Sequence, residues 1–289
     1  MASSRTRGII MNVSKGIFRI MTIAVLSLYV LTTSMLIGCT ARNNTPADES
    51  EPAPYIGNDK SESKNSEETM SAEGADTSEI TGEEEQMSAA ILYYQGHASV
   101  RILTEEGKVI YVDPFAGDGY GLPADLILIT HSHFDHTNTD LIGAKNPGCR
   151  IITQTEALEG GEHQSFDLGF VSVEAVEAGY NKNHNVKDCV GYVLTLRNGV
   201  KVYLSGDTSK TPQMANLGVI DYAFFCCDGV YNMDTKEASE CAKLVGAKHS
   251  IPYHMIPADP DHSFDENVAE SFEAEGRIIL KPGEVLMLE

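Results

Sequence analysis

The chain has 289 residues, enough for one large domain or two small ones, and its formal net charge is −21. A chain this acidic would be repelled by a phosphate backbone, which argues against nucleic-acid binding as its main role. All nine histidines lie after Ile91, where Val, Ile and Leu runs recur between glycines and asparagines.

The N-terminal 38 residues place basic side chains before an apolar run, Ile20–Gly38. A permanent membrane anchor and a cleaved export signal share this order. The segment LIGC at 36–39 resembles the bacterial lipobox, in which the cysteine becomes lipid-modified and forms the mature N-terminus. We therefore expect residues 1–38 to be a lipoprotein signal peptide and Cys39 to carry a lipid anchor in the bacterial cell membrane, facing its extracytoplasmic side.

Residues 39–88 read as an acidic flexible linker. The stretch 41–90 holds thirteen acids against three bases and few large apolar residues. Such a composition does not bury enough apolar surface to offset the entropy lost on ordering. We interpret it as a tether for a domain at 89–289.

Strands and helices alternate in the predicted domain. A hairpin is predicted from Ser99–Leu103 and Lys108–Val112. The continuous apolar run Asp125–Thr130 is typical of a strand covered on both faces, and Phe170–Val176 shows strand alternation. Later elements are a hairpin of Val190–Leu196 and Val200–Leu204 around Asn198-Gly199, a helix after Asp234, a helix at Ser263–Glu275, and strands at Arg277–Leu280 and Glu284–Leu288.

The two predicted hairpins echo one another. In Val100–Pro114 and in Val193–Thr208 the second strand leads into an aspartate, Asp113 or Asp207. Two similar sheet halves with helices outside would form an α/β fold, a four-layer α/β/β/α sandwich of two mixed sheets. Chance similarity between hairpins is the alternative.

Five cysteines follow Cys39, and an odd number is not a disulfide framework. Cys226 and Cys227 come after the apolar segment 222–225, so we expect them to end a buried strand. A role for this pair as soft metal ligands is the alternative.

Chemistry concentrates directly after the strand at 125–130. His131, His133, Asp135 and His136 place three imidazoles and one carboxylate within six residues. Imidazole nitrogen and carboxylate oxygen are the usual ligands of zinc and similar ions, and a loop at a strand end can direct several of them into one cavity. We expect a divalent-metal site here rather than an incidental surface cluster.

This HxHxDH pattern resembles the signature of the metallo-β-lactamase superfamily. Segments 96–100 and 112–114 resemble the opening strands of its branch of ascorbate-6-phosphate lactonase-like proteins. Segment 205–208 resembles its GDT turn, and 252–254 its late strand ending in a histidine. The likeness covers about Ile91 to Leu288, and its motifs are specific for fold and metal but only weakly for substrate.

The resemblance implies a ligand set. In it His131 and His133 bind a first metal, Asp135, His136 and His254 bind a second, Asp207 bridges the two, and Asp113 hydrogen-bonds a ligand imidazole. The family expects a third histidine for the first metal shortly after the strand at 170–176. Asn181 stands near that position here, so either His184 reaches in from the loop or the first metal is weakly held.

The implied activity is hydrolysis of a small-molecule ester, lactone, phosphodiester or amide by a metal-bound hydroxide, with Asp135 orienting the nucleophile and able to take its proton. The cofactor is one or two zinc ions, with Mn or Fe as alternatives. A non-catalytic metal- or ligand-binding surface lipoprotein is the competing function. His97 is either a pocket or a structural residue, and His262 has a possible contact with substrate.

Overall fold

Residues 89–289 are described by a computed structural model and form two mixed six-stranded sheets. The predicted signal peptide and linker lie outside the described residues. Within 89–289, no helix is long and apolar enough to cross a bilayer. The strands are β1 Ala90–Gly96, β2 Ser99–Leu103, β3 Val109–Val112, β4 Ala124–Leu128, β5 Lys145–Ile152, β6 Ser165–Asp167, β7 Val171–Glu177, β8 Val190–Leu196, β9 Lys201–Leu204, β10 Tyr222–Cys226, β11 His249–Tyr253 and β12 Val285–Leu288.

Each sheet combines an antiparallel meander with parallel strands. The first sheet has the order β12-β1-β2-β3-β4-β5 and the second has the order β11-β10-β9-β8-β7-β6. In the first, β3, β4 and β5 are parallel, and in the second, β9, β10 and β11 are parallel. The two sheets enclose one large apolar core that includes Leu92, Ile102, Leu194 and Phe224.

The predicted sheet architecture is confirmed, and the two hairpins of the sequence echo occupy equivalent places. Strand β3 pairs antiparallel with β2 and parallel with β4, while β9 pairs antiparallel with β8 and parallel with β10. Each hairpin therefore leads from the meander into the parallel part of its sheet. As a result, Asp113 and Asp207 follow the carboxyl ends of corresponding strands.

Helices α1 Gln154–Ala157, α2 Thr235–Val245 and α3 Glu266–Ser271 complete the fold. The α2 start is as predicted, because the Asp234 side chain accepts a hydrogen bond of 2.8 Å from the amide of Glu237. This helix packs against β10 of the second sheet. On the outer face of the first sheet, Tyr120 and Ile142 cover a smaller cluster that includes Tyr111 and Ile127.

Two predicted elements are wrong. The helix predicted at Ser263–Glu275 is limited to α3, because Asp265 caps it and the chain becomes extended at Phe272, whose side chain is buried in the core. The strand predicted at Arg277–Leu280 contributes only an isolated bridge between Arg277 and Ser250. The sequence patterns also missed β1, β5 and β6. Strand β5 is a largely exposed sheet edge, and its short apolar run carries no clear period.

Candidate metal centre

The carboxyl ends of the parallel strands of both sheets converge on one site. Such ends are where open α/β sheets commonly bind ligands. Asp113 follows β3, the 131–136 loop follows β4, Asp207 follows β9, Asp228 follows β10 and His254 follows β11.

Backbone hydrogen bonds join the two sheets at this point. The amide of Val190 donates to the carbonyl of Thr130 at 3.0 Å, and the amide of His254 donates to the carbonyl of His97 at 2.9 Å. The loops that carry the site residues are thus held by main-chain contacts that do not depend on the side chains themselves.

One group consists of three imidazoles. The ring nitrogens of His131, His133 and His184 lie within 4.8 Å of one another, and Nε2 of His131 is 3.0 Å from Nδ1 of His133. Asn181 does not replace the third histidine but positions it. Its Oδ1 accepts a 2.9 Å hydrogen bond from the amide of His184 and lies 3.2 Å from Nδ1 of that ring. His184 therefore turns Nε2 toward the other two rings.

A second group lies beside the first. It comprises His97, Asp135, His136 and His254, again within 4.8 Å of one another. Oδ2 of Asp135 is 3.1 Å from Nε2 of His97 and 4.0 Å from Nε2 of both His136 and His254. His97 is fully buried and contacts Asp135, a predicted metal ligand. It is not among the residues that line the cavity, so it lies behind the cavity wall.

Asp207 lies between the two groups. Its Oδ2 is 3.3 Å from Nε2 of His184 in the first group and 3.3 Å from Nε2 of His254 in the second, while its Oδ1 is 3.5 Å from Nε2 of His136. The preceding Gly206 has φ +60°, and a Cβ there would lie 2.6 Å from the carbonyl oxygen of Val190. Only glycine fits the turn that presents Asp207.

Buried polar side chains hold these groups from behind. Asp113 accepts hydrogen bonds from the Thr130 amide at 2.8 Å and from the Thr130 hydroxyl at 2.7 Å, and its Oδ2 lies 2.9 Å from Nδ1 of His136. The contact expected between Asp113 and an imidazole of the set is therefore present. It orients the His136 ring so that Nε2 faces Asp207.

Sequence reasoning missed two further residues, Asp228 and Asn232. Oδ2 of Asp228 lies 3.2 Å from Nδ1 of His254, and the Asn232 amide donates to both Asp228 at 2.8 Å and Asp207 at 2.9 Å. The available signal for Asp228 was its position directly after the apolar strand β10, equivalent to that of Asp207 after β9.

The residues fit a divalent cation on the evidence of their unpaired atoms. Nε2 of His136, Nε2 of His254 and Oδ1 of Asp207 are buried with no hydrogen-bond partner, although buried polar atoms are normally paired. All three atoms face the same small volume. Imidazole nitrogen and carboxylate oxygen together form a donor set typical of zinc and of similar transition metals.

The pKa shifts of the histidines are also consistent with a bound divalent cation. Burial, together with repulsion from His136, lowers the pKa of His131 to about 2, so this ring is neutral at neutral pH and can act as a metal ligand. Burial also opposes charge on His254, but attraction to Asp207 and Asp228 outweighs it and raises its pKa to about 9. The carboxylates thus draw positive charge into the site, which a metal ion can supply in place of a proton.

Backbone strain concentrates in the same place. His97, Asp113 and His254 have φ values of +53°, +44° and +43°, a region that non-glycine residues seldom adopt. Strain of this kind persists only where the surrounding structure enforces it, and it clusters at functional sites. All three residues are buried in or directly behind the two groups.

Other candidates lie outside the site. His163 is exposed, and His249 stacks on Tyr222. The exposed His262 lies 3.2 Å from Asp259 rather than on the cavity wall. The five cysteines of the described residues are free thiols. Cys226 ends β10 as expected, and neither it nor Cys227 belongs to a metal-capable group among residues 89–289.

Comparison with known proteins agrees with this geometry. Residues 91–254 match the family described as "Beta-lactamase superfamily domain". A UPF0173 metal-dependent hydrolase of Thermococcus onnurineus is 32% identical over 226 residues, which cover 68% of this chain and 98% of that protein. The chain belongs to the metallo-β-lactamase superfamily. It is a metal-dependent hydrolase.

Further members extend the likeness. A UPF0173 metal-dependent hydrolase of Rubrobacter xylanophilus is 27% identical over 70% of this chain and 98% of its own length. Among solved structures, Igni18 of Ignicoccus hospitalis, titled a metallo hydrolase, has a TM-score of 0.51 and 22% identity over 70% of this chain and 99% of its own. The latter comparison bears on the fold alone.

Replacing Asp113 by Asn should weaken zinc binding about 10–100-fold, because an amide group facing Nδ1 of His136 cannot repeat the carboxylate's contacts. The zinc affinity is measured by competition with a chromogenic chelator. Asp125→Asn is the matched control, since Asp125 is a buried carboxylate that accepts from Lys108 and Val109 at the opposite end of the same strands. Equal zinc affinity in the Asp113 and Asp125 variants would contradict the role given to Asp113.

Proposed function

We propose that this hydrolase cleaves an ester, lactone, phosphodiester or amide bond of a small molecule with two divalent cations, zinc in the first place and Mn or Fe as alternatives. The observation that carries the proposal is the position of Asp207, whose carboxylate lies within 3.3 Å of ring nitrogens from both groups. One carboxylate facing two sets of donors is the arrangement of a bridged two-metal site.

In this proposal His131, His133 and His184 would hold one cation, Asp135, His136 and His254 would hold the other, and Asp207 would contribute to both sites. A divalent cation held there would supply a water of lowered pKa, about 7 instead of about 15.7, and a Lewis acid for the oxygen of the bond to be cleaved. Asp113 contacts Nδ1 of His136 and Asp228 contacts Nδ1 of His254, which fixes the orientation of both rings.

Asp135 is the residue we assign to the attacking water. Its carboxylate lines the cavity, whereas Asp113 and Asp228 do not. Burial would raise its pKa, but the contact with His97 and the charges of nearby imidazoles outweigh burial and hold the pKa below the usual range. Asp135 is therefore an ionised acceptor at neutral pH. It can orient a water molecule and receive its proton.

The non-catalytic alternative loses its main support. That reading depended on a missing third histidine in the first group, where Asn181 stands near the expected position. His184 lies beside His131 and His133, with ring centroids 5.1 and 5.0 Å away. Three histidines in the first group can hold a cation, which favours the hydrolase over a non-catalytic binding protein.

The test compares wild type with His131→Ala and Asp135→Asn on a panel of nitrophenyl esters, lactones, phosphodiesters and anilides. Chelation should abolish turnover and added zinc should restore it. Both variants should lose at least about 100-fold in kcat/KM, the first through metal loss and the second through loss of the acceptor. His163→Ala, an exposed histidine outside the site, is the control. If neither site variant alters a chelator-sensitive turnover, the proposal is wrong.

We further propose that the enzyme is a lipoprotein anchored at Cys39 on the extracytoplasmic side of the bacterial membrane. The support is the lipobox-like segment 36–39 after a basic and apolar leader.

Expressed in a bacterial host fed an alkynyl fatty acid, the full chain should incorporate the label and sediment with membranes, and Cys39→Ser should do neither. Cys149→Ser is the control for a cysteine in the catalytic domain. Label in the Cys39→Ser variant, or a wild-type chain without label, would contradict the anchor.

A further inference from the structure

The cavity over the candidate metal centre has two chemically different walls. Its volume is about 420 Å³, within the range of small-molecule sites. One wall consists of the metal-capable side chains, among them Asp135 and Asp207. The rest of the lining includes the side chains of Phe134, Tyr231, Pro257 and Ala258, which we call the apolar wall.

The two aromatic side chains of the apolar wall are unusually exposed. Phe134 is 71% exposed and Tyr231 is 49% exposed, although large apolar side chains gain most from burial. Phe134 directly precedes Asp135 in the metal-binding loop. Its exposed ring lines the same cavity as Asp135 and Asp207.

Contacts hold the Phe134 ring and the Tyr231 backbone in place. Phe134 packs edge-on against Phe115, with ring centroids 5.8 Å apart. The Tyr231 amide donates to Asp228 at 2.7 Å, and its carbonyl accepts from the Asn183 side chain at 3.1 Å. An apolar surface that is already ordered binds a ligand at little entropic cost. The apolar wall can therefore bind an apolar group of a substrate.

Charge argues against a phosphate substrate. No Lys or Arg is among the side chains of residues 89–289 that line this cavity, and the exposed Lys182 lies outside the lining. Residues 89–289 hold 29 acids and 14 bases, so the protein surrounding the proposed cations adds no attraction for an anion. Sites that select phosphoryl groups commonly add Arg or Lys donors to their metals. An uncharged carbonyl group needs only the metals.

Building on the function proposed above, we infer that the substrate is an uncharged carboxylic ester, lactone or amide whose apolar group lies against Phe134 and Tyr231. In this reaction the oxygen of water bonds to the carbonyl carbon and the bond from that carbon to oxygen or nitrogen breaks. One proton of the water passes to the leaving group. The products are a carboxylic acid and an alcohol or amine, and for a lactone the acid and the alcohol are in one molecule.

The experiment uses the zinc-loaded full chain and three substrates with one leaving group: 4-nitrophenyl acetate, 4-nitrophenyl hexanoate and bis(4-nitrophenyl) phosphate. We expect kcat/KM to be about tenfold higher for hexanoate than for acetate, from burial of the longer chain. Phe134→Ala and Tyr231→Ala should each reduce that ratio toward one. Leu244→Ala, which removes an exposed apolar side chain far from the lining, should keep it.

A second measurement separates this inference from the proposed function. Calorimetry on the zinc-loaded protein compares acetohydroxamate with benzohydroxamate, which share a metal-binding head and differ in the apolar group. Tighter binding of benzohydroxamate, lost in the Phe134→Ala/Tyr231→Ala double variant, supports the apolar wall independently of turnover. If this preference is found but no substrate is cleaved, the proposed hydrolysis is contradicted and the apolar wall is retained. Turnover of the phosphodiester alone would contradict the carboxylic substrate and leave the proposed function intact.

The inference is overturned by equal kcat/KM for the two esters with equal affinity for the two hydroxamates. It is also overturned if bis(4-nitrophenyl) phosphate is turned over at a rate that Phe134→Ala leaves unchanged and Lys182→Ala reduces.

Discussion

The burial of the Asp207 carboxylate is the constraint on which this end of the molecule depends. The residue is 3% exposed, and its oxygens face imidazoles from two groups. An ionised carboxylate taken out of water destabilises the fold by several kcal/mol unless positive charge compensates it. The Asn232 amide supplies one hydrogen bond. Divalent cations between Asp207 and the ring nitrogens would supply the rest, so metal binding and the stability of this region are coupled.

The same arrangement of strands occurs in both sheets, and it places the aspartates in this buried position. In each, a hairpin leads into parallel strands, and an aspartate follows its second strand. The His136 ring lies between the two aspartates, with Nδ1 2.9 Å from Asp113 and Nε2 3.5 Å from Asp207. Asp113 therefore orients the ring toward the site, and Asp207 can bind the same cation as the ring. The main-chain link between Thr130 and Val190 keeps the two halves together.

Much of this arrangement was predictable from sequence where the signal is local. The hairpin around Asn198-Gly199, the α2 start at Asp234 and the HxHxDH loop each depend on neighbouring residues, and the structure contains all three. The helix predicted at Ser263–Glu275 failed because burial of Phe272 overrides helical periodicity. Asp228 was missed because its position after an apolar strand shows only an acidic residue at a strand end, whereas its contact with His254 depends on the long-range pairing of β10 with β11. For His184 the sequence was only partly informative. The residue itself was a candidate, but its contact with His131 depends on the turn in which Asn181 accepts a hydrogen bond from the His184 amide.

The central claim is that two cations share Asp207. A crystal structure of the zinc-loaded enzyme, with anomalous scattering recorded on both sides of the zinc absorption edge, tests it most directly. We expect two peaks about 3.5–4 Å apart, each about 2.0–2.2 Å from its ligand atoms and both contacting the Asp207 carboxylate. A zinc-saturated protein that shows a single peak, or two peaks of which only one contacts Asp207, would contradict the sharing of this carboxylate.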